Sequence, residues 1–159
     1  MEHVTVKDLV LGSGGVLVSG SEEAPVSHIR LDSRQVEPGD LFVPLLGERV
    51  DSHRFLPQVM DQGAAAVLTS QELTLPEGGA GCAVIRVEDT KKALQKIGSY
   101  LRDRLTLPLV GVTGSVGKTT TREMIAAALS ARFRVYKTPG NSNSQVGVPV
   151  TLSEITEND

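Results

Sequence analysis

Residues 109–121 read LVGVTGSVGKTTT: a short apolar run, a turn rich in glycine, and then a lysine followed by three threonines. The apolar run at 109–112 predicts a buried strand, and residues 134–137 predict a second one. Between them, the apolar residues Met124, Ile125, Ala128 and Leu129 recur at helical spacing and predict a helix from about Lys118 to Arg132. A strand, a glycine turn, a helix and a second strand are typical of the βαβ unit that opens a nucleotide-binding sheet.

The turn in this unit, residues 113–120 (the glycine loop), has the residue types that hold phosphate. Glycines allow backbone N–H groups to converge on an anion, and the helix that follows adds its positive end. Lys118 is placed to reach the β- and γ-phosphates, and Thr119 to bind Mg²⁺. The usual spacing G-x-x-x-x-G-K-[ST] is not met, because it needs glycine where this chain has Val112. A glycine turn before an incidental lysine is the alternative, but the predicted strand and helix on either side favour a phosphate loop.

The first hundred residues predict a separate α/β domain. Short apolar runs bounded by turn residues predict strands at 27–31, 41–46, 64–68 and 83–87. Helices are predicted from Ser52 to Gly63 and from about Asp89 to Leu105, the second with an apolar stripe along one side. We therefore predict two domains, at residues 1–105 and 106–159, joined by the short segment 106–108.

Composition excludes several classes of protein. There are 16 basic and 19 acidic side chains, a net charge of −3, and aromatic residues make up only 3%. A general nucleic-acid binder needs a basic excess or aromatic stacking platforms, so we expect no nucleic-acid partner. We also expect no membrane insertion and a cytoplasmic location, because no long apolar run or secretory signal is visible. The only cysteine, Cys82, cannot form an internal disulfide and is expected to be a small buried residue.

Three stretches together resemble the Mur ligase superfamily. The pattern T-G-[ST]-x-G-K-[ST] at 113–119 is similar to the ATP loop of that family. The stretches LDSR at 31–34 and PGDLF at 38–42, with Gly47, Asp51 and His53, resemble the N-terminal domain of the ligases that extend UDP-N-acetylmuramoyl peptides. Residues 138–152, which begin TPGN and include GVP at 147–149, resemble the branch that adds D-alanyl-D-alanine.

The resemblance implies a UDP-substrate-binding α/β domain followed by the first βαβ unit of a central ATPase domain. It also implies an ATP-dependent amide ligase of peptidoglycan precursor synthesis, with ATP and Mg²⁺ as cofactors. In this family ATP phosphorylates the terminal carboxylate of UDP-N-acetylmuramoyl-tripeptide, and the amine of D-alanyl-D-alanine attacks the acyl phosphate. Family members have three domains, so we expect the 159-residue chain alone to be inactive.

The resemblance also implies roles for individual residues. ATP would be held by Gly114, Ser115, Val116, Gly117, Lys118, Thr119 and Thr120, with Lys118 as the catalytic charge stabiliser and Thr119 as the metal ligand. The UDP-substrate would be held by Leu31, Ser33, Arg34, Gly47, Glu48, Arg49 and Asn141. For Ser33 and Arg34 an Asx turn with a surface arginine is an equal alternative, and Asn141 fits a turn as well. His53 is expected to be a helix-start or surface residue.

Other functions remain open at this point. A ligase that adds a single amino acid shares the first two stretches, and a non-catalytic module that binds UDP-sugar or nucleotide fits the chain as given. A P-loop kinase or regulatory NTPase would leave the first hundred residues unexplained. A single βαβ unit leaves a sheet edge exposed in residues 106–159, so we expect either low hydrogen-exchange protection there or a second copy of the chain that covers the edge.

Overall fold

The computed structural model describes residues 1, 3–47, 50–73, 81–139 and 144–156. Its helices are α1 (Val6–Ser13), α2 (Leu56–Asp61), α3 (Thr90–Asp103), α4 (Lys118–Ser130) and α5 (Gly147–Glu154). Its strands are β1 (Val16–Ser19), β2 (Ile29–Arg30), β3 (Leu41–Phe42), β4 (Ala66–Thr69) and β5 (Ala83–Arg86). Two 3₁₀ turns lie at Ser33–Gln35 and Ser52–Phe55. None of the described helices is long and apolar enough to cross a membrane.

The five strands form one mixed sheet in the order β1-β5-β4-β3-β2. Strands β2 to β5 pair in parallel, and β1 pairs antiparallel to β5 at one edge. Successive side chains of a strand point to opposite faces, so each face has its own apolar core. Leu41, Leu68 and Ile85 belong to the core that includes α1 and α3, whereas Phe42, Val67 and Val84 belong to the core that includes α2. The predicted α/β fold class is confirmed.

Most predicted elements of residues 1–105 are present, with shorter strands. The helix predicted from Asp89 is α3, whose first turn is capped by the Asp89 carboxylate, which accepts from the Lys92 amide at 2.9 Å. The strand predicted at 41–46 ends after Phe42, because Pro44 has no N–H to continue the ladder. The strand predicted at 27–31 contributes only Ile29–Arg30 to the sheet. The loop expected around 73–81 lies mostly outside the described residues.

Two elements near the N-terminus were not predicted. Thr5 and Asp8 form a capping box at the start of α1, and Gly14 ends that helix with a φ of 69°. A threonine, an acidic residue three positions later and a terminal glycine are recognisable signals in the sequence. The following strand, β1, is only four residues long and pairs at the sheet edge.

The predicted strands at 109–112 and 134–137 are not formed, although the helix between them is present as α4. Leu109 and Val110 are 42% and 63% exposed. A strand is held by hydrogen bonds to a neighbouring strand, and in the described part of the chain neither segment is paired in a sheet. The βαβ unit is therefore represented by its loop and its helix alone.

Candidate functional site

The carboxyl ends of the parallel strands bring together the predicted substrate residues. Leu31, Ser33 and Arg34 follow β2, and Gly47 lies in the segment that follows β3. Because β2, β3 and β4 are parallel, the segments after them meet at one edge of the sheet. This is the edge at which open α/β sheets bind their ligands. Glu48, Arg49 and Asn141 lie outside the described residues.

The turn after β2 holds Arg34 away from the sheet. One Asp32 carboxylate oxygen accepts from the Arg34 amide at 3.0 Å, and the two oxygens accept from the guanidinium at 2.9 Å and 2.6 Å. This side-chain pairing is the main cause that lowers the pKa of Asp32 to about 2. Arg34 is 84% exposed, whereas Ser33 is buried. The geometry matches the Asx turn with a surface arginine, and it leaves Ser33 as the inward residue of the turn.

The segment that carries Gly47 is closed at its base by backbone pairing. The Gly47 amide donates to the Val50 carbonyl at 3.0 Å, and the Ser52 amide donates to the Leu45 carbonyl at 3.1 Å. Leu46 and Asp51 form an isolated antiparallel bridge between these two bonds. The base of the segment is thus held closed by hydrogen bonds between residues 45–47 and residues 50–52.

A buried histidine joins this loop base to the end of β4. His53 Nδ1 lies 2.6 Å from the Asp51 carboxylate, and the Ser70 amide donates to His53 Nε2 at 3.2 Å. Since Nε2 accepts a hydrogen bond from a backbone amide, the proton of a neutral ring is on Nδ1. The Ser70 hydroxyl is also 3.1 Å from Nε2, but that nitrogen already accepts a hydrogen bond from the Ser70 amide. His53 is therefore better suited to link the loop base to the end of β4 than to act as a catalytic base.

The expectation of a surface histidine is corrected by this arrangement. His53 does lie at the start of a helical segment, as one of the two expectations had it, in the 3₁₀ turn Ser52–Phe55, but its side chain is only 3% exposed. Its amide donates to Asp51 at 2.9 Å, and the Gln71 side chain donates to the other Asp51 oxygen at 2.7 Å. These hydrogen bonds, the one from the His53 amide first, lower the pKa of Asp51 below its usual value of 3.8.

Two further polar groups of this domain are structural. Asp40 is buried and accepts from Arg30 Nε and the Glu37 amide, both at 3.0 Å, with His28 Nδ1 at 3.2 Å. It therefore fixes the turn that precedes β3. Cys82 is buried as expected, and burial raises the pKa of its thiol to about 11. A thiol with this pKa is protonated at neutral pH and a poor nucleophile.

The glycine loop adopts a conformation that needs its glycines. Gly114 and Gly117 have φ values of 150° and 80°, which other residues rarely adopt. A side chain at Gly117 would meet no atom within 4 Å, so the requirement there comes from the backbone and not from crowding. The loop opens outward, with Ser115, Thr119 and Thr120 exposed and Val116 90% exposed.

At the N-terminus of α4, the first backbone amides lie beside the glycine loop. The first backbone bond of the helix runs from the Thr121 amide to the Gly117 carbonyl at 2.9 Å, and no side chain caps this end. The amides of Lys118, Thr119 and Thr120 precede that ladder, which is how a helix start can bind an anion. The Lys118 ammonium folds back and donates to the Gly114 carbonyl, so a cation lies across the loop.

A cleft of about 450 Å³ continues from this helix start. Lys118 and Thr119 contribute to its wall, and apolar side chains of α4 and of the flanking segments line most of the rest, among them Leu109, Val112, Ile125, Leu129, Val135 and Leu152. The acidic residue of α4, Glu123, is paired with Lys137 and Arg122. The hydrogen bond from Lys137 is the main cause of its lowered pKa.

The residues of the glycine loop fit a magnesium nucleotide. An open backbone cradle, a cation across it and the free first turn of a helix are complementary to phosphate oxygens. Among the described residues, no group of three His, Cys, Asp or Glu side chains could hold a metal ion. Mg²⁺ bound with nucleotide keeps phosphate oxygens and several waters as ligands, and in phosphate loops a Ser or Thr hydroxyl binds it, so the Thr119 hydroxyl suits it.

Comparison with known proteins gives the family. Residues 25–101 match the family model described as "Mur ligase family, catalytic domain", and residues 112–159 match the one described as "Mur ligase middle domain". The chain belongs to the Mur ligase family. The two matches follow one another along the chain, as the N-terminal domain and the start of the middle domain of a Mur ligase.

Individual relatives carry one enzyme name. The chain is 47% identical over 137 residues to a UDP-N-acetylmuramoyl-tripeptide--D-alanyl-D-alanine ligase of Synechocystis, and 41% identical over 155 residues to the ligase of the same name in Bacillus subtilis. These alignments cover 86% and 97% of this chain but 30% and 34% of the relatives. The chain therefore spans about a third of the length of these Mur ligases.

Solved Mur ligase structures have the same fold. A crystal structure of MurF from Acinetobacter baumannii superposes with a TM-score of 0.86 at 34% identity, over 97% of this chain and 33% of that one. MurF from Thermotoga maritima in complex with ADP gives a TM-score of 0.72 at 32% identity, over 82% of this chain and 30% of that one.

Proposed function

We propose that this chain forms part of an ATP-dependent ligase that adds D-alanyl-D-alanine to UDP-N-acetylmuramoyl-tripeptide. Residues 1–105 would bind the UDP-substrate, and residues 106–159 would begin the ATP-binding domain. The names of the Synechocystis and Bacillus subtilis relatives support this branch over the one that adds a single amino acid. The nucleotide substrates of such a ligase favour a cytoplasmic location.

The observation that carries the proposal is the conformation of the glycine loop. Its two glycines have positive φ, its lysine lies across the backbone, and the first amides of α4 stand beside them. Packing among the described residues does not account for this shape, because the loop is exposed and a side chain at Gly117 would have no described atom within 4 Å. A backbone held in a glycine-only conformation at an exposed helix start favours a ligand-binding role over a structural one.

Each residue of the loop would have a separate task. The backbone of residues 114–120 would hold phosphate oxygens, and the Lys118 ammonium would offset the negative charge that grows as the terminal phosphoryl group transfers. Thr119 would contribute one oxygen to Mg²⁺. Bound Mg-ATP would supply the phosphoryl group that activates the substrate carboxylate. At the other end of the chain, Ser33 and the 47–50 segment would hold the UDP part of the acceptor.

The proposal is tested by titrating this chain with Mg-ATP in a calorimeter. A lysine that donates to phosphate contributes about 1.5–3 kcal/mol, so Lys118→Ala should weaken binding by about ten- to a hundredfold. Lys118→Arg should lose less affinity because it keeps the charge, and omission of Mg²⁺ should weaken binding by the parent chain. Lys91→Ala removes an exposed lysine from α3 and is the matched control, with no change expected.

Two results would contradict this assignment. One is equal affinity of the parent and Lys118→Ala, which would make the lysine an ordinary helix-start residue. The other is no heat of binding from the parent chain with any magnesium nucleotide, which would remove the glycine loop from nucleotide binding altogether.

A further inference from the structure

Helix α5 is packed against the N-terminal sheet domain although it follows the glycine loop in sequence. Pro149, Thr151 and Ser153 are buried, and Val146 and Val150 pack against the core that contains α1 and α3. The Gln95 side chain of α3 also donates to the Gln145 carbonyl, just before α5, at 3.4 Å. One side of α5 is thus part of the surface of residues 1–105.

Gly98 of α3 lies close against Pro149 of α5 in this packing. A Cβ atom placed on Gly98 would lie 2.8 Å from both Cα and Cβ of Pro149, closer than real side chains approach. Gly98 is buried in the middle of α3, where glycine costs about 1 kcal/mol relative to alanine. A residue unfavourable to its own helix here permits a contact between two helices that no larger residue would allow.

The opposite side of α5 faces the nucleotide end of the chain. Val148, Leu152 and Ile155 line the cleft that Lys118 and Thr119 also line. Glu154 of α5 accepts from the Tyr136 hydroxyl at 3.0 Å, and the next residue, Lys137, is paired with Glu123 of α4. Contacts therefore run without interruption from α3 through α5 and the 136–137 segment to α4, the helix that begins at Lys118.

We propose that the Gly98–Pro149 contact is a positioning joint through which the N-terminal domain holds the glycine loop in place. The inference rests on the proposed nucleotide site and adds a residue that does not touch it. A side chain at Gly98 would push α5 away from α3, and α5 forms one wall of the cleft beside Lys118. Gly98 and Pro149 are positioning residues, because they act on the loop only through α5 and its contacts.

The experiment compares Gly98→Ala with a matched control in the same helix packing. Gly12 of α1 is also a buried helical glycine that packs on α3, and an added Cβ would meet Tyr100 at 3.1 Å, away from α5. Amide exchange should speed up in α5 for Gly98→Ala and not for Gly12→Ala. Mg-ATP affinity should fall roughly threefold or more for Gly98→Ala, while affinity for UDP-N-acetylmuramoyl-tripeptide stays unchanged.

Pro149→Gly tests the same joint from the other helix, because it removes the Cβ and ring atoms that lie against Gly98 without adding atoms to the core of α3. It should show the same pattern, and it covers the case in which Gly98→Ala fails to fold. Unchanged exchange in α5 for both variants would overturn the joint. Faster exchange in α5 with unchanged Mg-ATP affinity would overturn its positioning role. If the parent chain binds no Mg-ATP, the proposed function fails and the positioning role with it, although the exchange in α5 still reports on the packing.

Discussion

Asp51 connects three parts of the candidate substrate site through one carboxylate. It belongs to the base of the 47–50 segment, it accepts from His53, and it accepts from Gln71 beyond the end of β4. Its hydrogen bonds are made to the charged form, which is why its pKa is lowered. Loss of the charge should loosen the loop base and the strand end together.

This gives a prediction for stability against pH. A carboxyl with a lowered pKa in the folded chain stabilises fully above its ordinary pKa of 3.8, and this contribution is lost as the pH falls through the folded value. Asp51→Asn should therefore be less stable than the parent near neutral pH, by up to about 1 kcal/mol because the side chain is 38% exposed. The difference should shrink as the pH falls below about 4. Urea unfolding across a pH series measures it.

The control is Asp61→Asn, at the exposed end of α2. It should leave the free energy of unfolding nearly unchanged at each pH. A difference between the parent and Asp51→Asn that stays constant from neutral pH to acid would contradict the electrostatic explanation, because it would show that the charge of the carboxylate contributes nothing.

Single residues were predictable from the sequence where their role depends on near neighbours. The Asp89 cap and the stop at Gly63, which follows the end of α2 with a φ of 89°, need only the residues of one turn. The helix predicted from Ser52 is divided into the 3₁₀ turn Ser52–Phe55 and α2. His53 is different, because its ring nitrogen accepts a hydrogen bond from Ser70, 17 positions away. This hydrogen bond forms only once β4 lies beside the loop. No local pattern distinguishes a buried histidine of this kind from an exposed one.

At the scale of elements, the parallel strands explain why the predicted substrate residues share an edge. Ser33 follows β2 at its carboxyl end, whereas Ser27 precedes the same strand at the opposite edge and is exposed. If the carboxyl edge binds the UDP part of the substrate, these two serines should respond differently to the same substitution.

We predict that Ser33→Ala weakens binding of UDP-N-acetylmuramoyl-tripeptide roughly two- to tenfold, the loss expected for one neutral hydrogen bond. Ser27→Ala should leave the affinity unchanged. Calorimetric titration of both variants and of the parent provides the measurement, and thermal unfolding checks that Ser33→Ala remains folded. An affinity of Ser33→Ala equal to that of Ser27→Ala and of the parent would remove Ser33 from the proposed substrate site.

Strand boundaries were the weakest part of the sequence prediction. Apolar runs identify segments able to pair, but pairing itself needs a neighbouring strand in register. Short parallel strands form few hydrogen bonds, so the loss of one changes where the strand ends. Strand β4 has neighbours on both sides and was predicted closely. The segment 109–112 is also apolar and 134–137 contains Val135 and Tyr136, but both segments are unpaired in the described sheet. Helix α4 was predictable because its hydrogen bonds are internal to the segment.

Across the whole molecule, the apolar surface is distributed unevenly. The two cores of the sheet domain contain nearly all of the large buried side chains, whereas α4 contributes only the buried Ala126. Val110, Met124 and Phe133 are each at least 60% exposed. In the described residues the sheet edge that was expected to pair with a second copy is not formed, so self-association of residues 106–139 would use exposed apolar side chains such as these instead.

Hydrogen exchange should therefore divide the chain into three classes. Amides of β4, β5 and α3 should exchange most slowly, because they open only with the sheet domain. Amides of α4 should be at least tenfold less protected, about 1.4 kcal/mol, because few buried contacts are lost when that helix opens. Amides of α5 should lie between the two, since α5 packs on α3.

The measurement is repeated at low and high chain concentration, with light scattering to give the mass of the particle in solution. Protection of α4 that equals that of β4 in a demonstrated monomer would contradict this division, whereas protection that rises with concentration and mass would show that a second copy covers the exposed side chains of α4.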